Sequence, residues 1–288
     1  MMLLSRNTWR CMIYIAVFIS MSLCDVVAKP RIVTTIKPLA IIAASAVGDA
    51  ASVEYLQSPG QTGHDLHLVP SMLTQLESAD LLLRVDQHFE HRFAGYFETV
   101  PSERVLTASQ LGLHWPEPAT AEKDEHGLER DLHFWLNPAN AEVLAAAIQT
   151  HLGLPLTRLI EPAQMRDYRA ALAPFKNARY LTHHDAYGHF RTAFDLSVAP
   201  SFRDAGGGQR GISSHYDLRE SALRSPPSCL FVEPQLLTKA AREFAKSHNL
   251  AVIPLDPLGT DVTLGIAAYS KFIDGLVGQF KQCFLPTP

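Results

Sequence analysis

The sequence lacks the marks of several large functional classes. Lys and Arg total 25 against 29 Asp and Glu, a formal charge of −4, so no basic surface advertises a nucleic acid. No Walker motif is present, and no Gly-Lys-Ser/Thr follows the run Gly206–Gly208, which reads as a flexible loop and not as a phosphate cradle. There is no HExxH pair to mark a metalloprotease. Beyond the N-terminus no apolar stretch is long enough to cross a bilayer. Nothing suggests disorder, collagen or a fibre, since hydrophobic residues make up 47% and charged residues 19%, the balance of an ordinary globular chain. Cysteine is scarce at 4, whereas histidine is abundant at 13.

What is present begins with an export signal. Arg6 and Arg10 precede the short apolar run Cys11–Leu23, and Val26-Val27-Ala28 offers small residues for cleavage. Residues 1–28 therefore read as a cleaved signal peptide, with a retained anchor helix as the alternative. A lipid anchor on Cys24 is disfavoured by the bulk of Leu23. Cleavage leaves Cys229 and Cys283 in an oxidising, periplasmic setting, where they either pair or remain as buried thiols.

Strand-like and helix-like segments then alternate, the pattern of parallel sheets with right-handed crossovers. Arg31–Ile36, Ser52–Gln57, Asp80–Val85 and Arg104–Ala108 read as strands, and Pro38 and Asn137 open helices. After the Asn137 helix the pattern resets. Pro162–Leu172 is helical without a preceding strand, and strands follow at Ala178–Thr182, Ser197–Phe202, Ser228–Val232 and Leu250–Leu255, with a last helix over Leu264–Phe284. The expectation is an α/β chain of two lobes, each a mostly parallel sheet flanked by helices. An N-terminal lobe covers 29–153, a bridging helical segment 154–177 and a C-terminal lobe 178–288. The polar stretch Pro116–Asp131 reads as a surface loop.

In open α/β sheets ligands bind beyond the carboxyl ends of the strands. His64 follows the second strand, His183 and His184 end the strand that opens the second lobe, Asp256 follows the last strand, and His133 precedes the Asn137 helix. A cleft between the lobes would let them converge. Three neutral imidazoles with one carboxylate suit Zn²⁺, whereas Mg²⁺ and Ca²⁺ demand mostly oxygen. Taken singly, each histidine has an ordinary use as a surface or core hydrogen-bonder, and Asp256, placed before a proline, can simply shape a turn. Asp65 and Asp185 adjoin candidate ligands, with a hydrogen bond to an imidazole or helix capping as their roles. His88 and His91, three apart, read as a solvated helix face.

The phrases TTIKPLA, SPGQTGHDLHLVPSMLTQLESADLLLRV, DLHFWLNP, THHDAYGHF, CLFVEPQ and LDPLGT stand in the order found in ZnuA-like proteins, the zinc-specific solute-binding components of ABC uptake systems, which this chain resembles over nearly all of its mature length. The resemblance implies two α/β lobes bridged by a long helix with zinc in the cleft. It implies His64, His133 and His184 as ligands, Asp256 as a carboxylate that ligates in some members, and a Cys229–Cys283 disulfide. His184 stands where manganese-binding relatives carry a carboxylate, which favours zinc. The implied partners are the zinc ion and a membrane permease and ATPase, with no nucleic acid, no enzymatic activity and a monomer as the default. A manganese carrier or metal-dependent adhesin on the same scaffold is the alternative, and a zinc hydrolase a more distant one. Three departures stand out. The loop Ala121–Asp131 is short and carries only His126, the segment before HHDAYG is short, and Gly63 replaces a glutamate found in some members.

Overall fold

The computed structural model describes residues 28–116, 131–209, 211–236 and 238–284. The export signal and its cysteines, His126 and most of the polar loop before Asp131 lie outside the described residues.

The first sheet is built from β1 (Arg31–Thr34), β2 (Ser52–Tyr55), β3 (Leu81–Arg84) and β4 (Val105–Thr107) in the order β2-β1-β3-β4, all parallel. Between β1 and β2 runs α1 (Lys37–Val47), with proline in its first turn and Gly48 at φ 51 just past its end. Next come α2 (Pro70–Glu77) and α3 (Ala94–Phe97), and then α4 (Pro138–His151), whose Asn137 cap accepts a hydrogen bond from Ala139 N at 2.9 Å. α1 is apolar nearly all round because it is buried between its own sheet and the helices that cover it.

Between the sheets lies α5 (Pro162–Leu172), an 11-residue helix, about 16 Å long. The resemblance implied a long bridging helix; the one here is short. The second sheet comprises β5 (Leu181–His184), β6 (Ser201–Arg203), β7 (Cys229–Val232) and β8 (Ala251–Pro254) in the order β6-β5-β7-β8, again all parallel. Its helices are α6 (Gly188–Phe194), α7 (Ile212–Arg224), α8 (Lys239–Ser247) and α9 (Ala268–Gln282). The two sheets thus share one winding pattern.

Several elements begin later than the sequence pattern suggests, each for a local reason. β5 starts at Leu181 and not at Ala178, because residues 173–178 are spent on turns that pair Lys176 N with Ala173 O and Ala178 N with Phe175 O. β6 starts after Pro200, which has no N–H to give a ladder. α9 starts at Ala268, after Gly265 takes φ 156.

The lobes are not independent beads. One hydrophobic core runs from Ile32 and Leu82 in the first sheet through Trp135 and Tyr269 to Phe231 and Phe280 in the second. The last helix, α9, crosses back to pack on α1 and α5. Trp135 Nε1 donates to Pro257 O at 2.8 Å, Tyr269 OH donates to Trp135 O at 2.8 Å, and Tyr269 N donates to Ser45 Oγ at 2.9 Å. Burying a side chain such as Phe280 contributes about 1.5–3 kcal/mol, so opening the cleft far by parting this core is costly. Cys229, at the start of β7, is joined to Cys283, at the end of α9, with their Cα atoms 5.5 Å apart.

Candidate metal centre

In both sheets the chain leaves the first strand to one side and the third to the other, which opens a crevice at the carboxyl ends of β1 and β3 and of β5 and β7. Each crevice is closed by a buried glutamate. In the first lobe Glu90 accepts from Thr35 Oγ1 at 2.6 Å, Val85 N at 2.8 Å and Asp86 N at 2.9 Å. Burial pushes its carboxyl up to about 7 against those donors. In the second lobe Glu233, directly after β7, accepts from His184 Nδ1 at 2.6 Å, and both side chains are buried.

His64, His133 and His184 meet between these crevices. One ring nitrogen from each lies within 4.8 Å of the other two. His64 Nε2 and His133 Nε2 stand 3.3 Å apart. Two nitrogens bound tetrahedrally to one Zn²⁺ at ~2.0–2.1 Å stand roughly 3.3–3.4 Å apart. His184 has Nδ1 turned to Glu233, so Nε2 is the atom that faces the others, and it lies 3.2 Å from Ala205 O. Both ring nitrogens of His184 thus face oxygen atoms. Burial opposes a charge on the ring, but the adjacent Glu233 carboxylate prevails and holds the His184 pKa above its ordinary value.

Each histidine is held in place from behind. His133 Nδ1 donates to Asp131 Oδ1 at 2.6 Å, and the same oxygen accepts His133 N at 2.9 Å. Asp131 Oδ2 accepts from Gly188 N, the first residue of α6, at 3.0 Å, so an acidic group of the first lobe sits at a helix N-terminus of the second. Burial raises the Asp131 carboxyl, but the charges and hydrogen bonds of His133 and His189 outweigh it and hold the pKa below the usual carboxylate range. A Cβ on Gly188 would come within 2.7 Å of Asp131 Oδ2, which is why this approach needs glycine. His64 sits in a short turn, Gly63–Asp65, with its ring 4.6 Å from that of Phe89. A Cβ on Gly63 would lie 2.7 Å from Phe89 Cζ. Gly63→Ala is expected to displace Phe89 and the His64 turn, lowering stability by about 1–3 kcal/mol and weakening metal binding. Thermal melts and a metal titration of the variant check both, and an unchanged melt with unchanged affinity would show that Phe89 moves aside freely.

Asp256 does not join the cluster. Its Oδ1 accepts Leu258 N at 2.9 Å, and its Oδ2 accepts Thr260 N at 2.6 Å and Thr260 Oγ1 at 2.5 Å, so the carboxylate closes the turn after β8. His183 is turned away as well. Neighbours along a strand face opposite sides of a sheet, so His183 packs near Phe202 while His184 enters the cleft. Burial and the neighbouring Arg203 charge push the His183 pKa down to about 4. Asp65 accepts from Thr62 Oγ1 at 2.7 Å. Asp185 is not the cap of α6, whose N-cap is Tyr187. His88 and His91 do not share a helix, since His91 opens a short 3-10 turn and His88 precedes it, with its Nδ1 2.9 Å from Asp86 Oδ1.

Sequence reasoning missed the two carboxylates that orient the ligands. A signal existed for each: Asp131 stands two residues before His133, and Glu233 directly follows β7 at the strand end. The glycine loop after β6 was also missed. It covers the cleft, with Gly207 at φ 83 over the His64 ring, and Ala205 O faces His184. If Glu233 orients His184 as the geometry indicates, Glu233→Gln is expected to lower metal affinity by about ten- to a hundredfold. Competition against a chromophoric chelator measures this, and a change under twofold would remove Glu233 from the site.

The cleft encloses a cavity of about 350 Å³ whose walls include the three histidines, Trp135, Arg92, Arg203 and Gly207. Three imidazole nitrogens lie around one point, with buried Glu233 behind one and partly buried Asp131 behind another, a nitrogen-rich group that could hold a cation.

Comparison with known proteins places the chain in one family. The family model described as "Zinc-uptake complex component A periplasmic", ZnuA, matches residues 32–155 and 160–283. The high-affinity zinc uptake system protein ZnuA of Haemophilus ducreyi is 28% identical over 291 residues, covering 89% of this chain and 94% of that protein. Its counterpart from Yersinia pestis is 29% identical over 292 residues, covering 89% and 92%. Among solved structures, a zinc-bound ZnuA deletion mutant superposes with a TM-score of 0.70 at 18% identity, covering 90% of this chain and 99% of that one. The periplasmic zinc-binding protein TroA from Treponema pallidum gives 0.65 at 19% identity, covering 88% and 99%. These two structures share the fold.

Proposed function

The chain belongs to the ZnuA family of zinc-uptake components, and on that premise we propose that it is the periplasmic zinc-binding component of an ABC importer, capturing Zn²⁺ in the cleft between its lobes and delivering it to a membrane permease and its ATPase. His64, His133 and His184 hold the ion, each through Nε2. Asp256 is not a ligand, because its oxygens serve the turn after β8. The observation that carries the reading is the convergence of three histidines, distant in sequence, with their ring nitrogens within 4.8 Å of one another.

The donor set supports zinc over manganese. Imidazole nitrogen is a good ligand for Zn²⁺, Mn²⁺ prefers carboxylate and water, and raw affinity also favours zinc. Hydrolysis is disfavoured by the same geometry. Glu233 and Asp131, the carboxylates behind the cluster, are both committed to imidazoles, so neither is available as a general base. The shared core and the return of α9 onto α1 favour capture with small lobe movements.

The direct test is titration of the metal-free protein with Zn²⁺ by competition against a chelator of known affinity, then with Mn²⁺ as challenger. One zinc per chain, displaced by Mn²⁺ only at large excess, is expected; no saturable zinc site, or preference for Mn²⁺, would overturn the reading. Protons compete for the same lone pairs. His64 and His133 share a hydrogen between their Nε2 atoms, and His184 Nε2 faces Ala205 O. Zinc must displace these hydrogens, so affinity is expected to fall as pH drops, beginning above the ordinary imidazole value of about 6.5 because His184 is held above it. Binding heats in buffers of different ionisation enthalpy should also show proton release. Equal affinity at pH 5.5 and 7.5 would count against imidazole ligation.

A further inference from the structure

The cleft is larger and more positive than capture of a bare cation requires. A cavity of about 350 Å³ is roughly ten times the share of one water in the liquid. The described residues supply three ligand groups to the cluster and no fourth, and Asp256, the carboxylate expected from the sequence, is held by the turn after β8. On the open side stand two guanidinium groups. Arg203 is the direct cross-strand partner of His184 in the β5–β6 pairing. Paired residues present their side chains on the same face of a sheet, so Arg203 accompanies His184 into the cavity that both line. Its NH1 donates to Gly207 O at 2.6 Å, which sets the guanidinium beside the loop that covers His64. Arg92 lines the same cavity from the first lobe, with NH1 2.6 Å from His67 Nδ1. A guanidinium carries five donors, so both retain N–H groups for a ligand.

The charges are arranged in the same sense. The negative groups Glu233 and Asp131 lie behind the imidazoles and are matched to them. At the front, Zn²⁺ would face Arg92 and Arg203; among the described residues that line the cavity the carboxylates are Asp65 and Glu233, and Glu233 is matched to His184. A dication and two guanidiniums in one partly closed cavity repel unless an anion joins them.

We infer that the cargo is held as a zinc–oxyanion pair, in which a small carboxylate or phosphate, gripped by Arg203 and Arg92, supplies the fourth donor to the metal. This rests on the zinc-binding reading above and specifies the form in which the ion is held. Planar, forked guanidinium donors match the oxygens of carboxylate and phosphate, and an oxygen donor at ~2.0–2.2 Å completes a tetrahedral Zn²⁺ shell. The neutral imidazoles carry none of the ion's charge, so the anion also lowers the charge of the bound cargo.

The experiment is equilibrium dialysis of the zinc-loaded protein, in a non-coordinating buffer, against radiolabelled citrate and, separately, radiolabelled phosphate. Protein-bound zinc is counted on the same samples. About one anion per bound zinc is expected, with little retained by the metal-free protein. Retention of citrate, of phosphate or of both supports the inference, and the pattern tells which oxyanion chemistry the cleft prefers. Retention of neither, with one zinc bound per chain, overturns it and leaves the zinc reading standing. Failure to bind zinc overturns both. Arg203→Gln is expected to lower the anion retained per bound zinc by about ten- to a hundredfold, the loss of a charge-assisted contact. Arg92→Gln, at an exposed position, provides a second reading that does not depend on the β6 loop. A fall in either variant supports the inference. Wild-type retention per zinc in both would overturn it, because the anion would then sit elsewhere.

Discussion

Replacing His133 by alanine is expected to lower zinc affinity by more than about a hundredfold, beyond the range seen when only an orienting partner is lost, whereas His126→Ala should change it little. The imidazole of His133 is nearly fully buried and fixed at both ends, by Asp131 at Nδ1 and by the neighbouring histidine at Nε2. Its loss removes a ligand and leaves no room for a surface residue to substitute. It also leaves Asp131 without its main partner, though Gly188 N and residue 133's own N–H still donate to it. Leaving a largely covered acceptor short of a donor costs about 1–3 kcal/mol. The alanine variant should therefore melt at a lower temperature even without metal. His64→Ala separates the two effects. His64 is the least buried of the three, so its alanine variant should lose affinity with a smaller change in the metal-free melt than His133→Ala shows. Chelator competition and thermal melts on the three variants decide the matter. Small, equal affinity losses for His133→Ala and His126→Ala would show that the ligand assignment is wrong.

The parts of this site that were legible in the sequence are those where chemistry and strand endings coincide. His64 and His184 follow or end strands, and His133 precedes a helix with an unmistakable Asn-Pro start. Strand ends thus placed His64 and His184 in the histidine cluster. Asp256 had the same address but a different use. Its position before Pro257 fitted either role, and only the three donors of Leu258 and Thr260 show that the turn claims it. Asp131 and Glu233 were hidden for another reason. An orienting carboxylate acts through one hydrogen bond to one ring, and Glu233 lies 49 residues from the histidine it serves. No periodicity links such pairs. The acids seen to bind His133 and His184 are set by how the stretch before α4 and β7 are aimed.

The repeated winding explains why the site lies where it does. β1 and β5 each open a sheet, β2 and β6 lie beside them on one side, and β3 and β7 on the other. The loop after β2 brings His64, and the loop after β6 brings the glycines that rest on it. Glu90 lies six residues past β3 and binds Thr35, just after β1, whereas Glu233 directly follows β7 and binds His184, the last residue of β5. The metal chemistry is thus unequal between halves of equal topology. The first lobe brings two histidines of the cluster, His64 and His133, and the second brings His184 together with the loop that covers it.

Removing the Cys229–Cys283 disulfide is expected to lower the melting temperature by roughly 8–16 °C while leaving zinc affinity at 25 °C nearly unchanged. The bridge closes a sequence separation of 54 residues, for which the chain-entropy relation gives about 4 kcal/mol. Its position adds to that effect. Cys229 begins the central strand β7, and Cys283 follows α9, the helix that returns to pack on α1 and α5 and so joins the two lobes. The aromatic cluster of Tyr180, Phe231, Phe280 and Phe284 surrounds the same corner. Without the cross-link the end of α9 frays first, and the shared core loses its lid before the cleft is disturbed. The ligands lie at the opposite, carboxyl ends of the strands, so the metal site should persist until the global transition. The Cys229→Ala/Cys283→Ala variant is preferable to serine, since both positions are buried and a hydroxyl there would want a partner. Calorimetric melts of the metal-free and zinc-loaded forms provide the measurement. A shift below about 2 °C would mean that packing of α9 alone holds the corner, and a large drop in zinc affinity at 25 °C would mean that the cleft depends on α9 more directly than its geometry indicates.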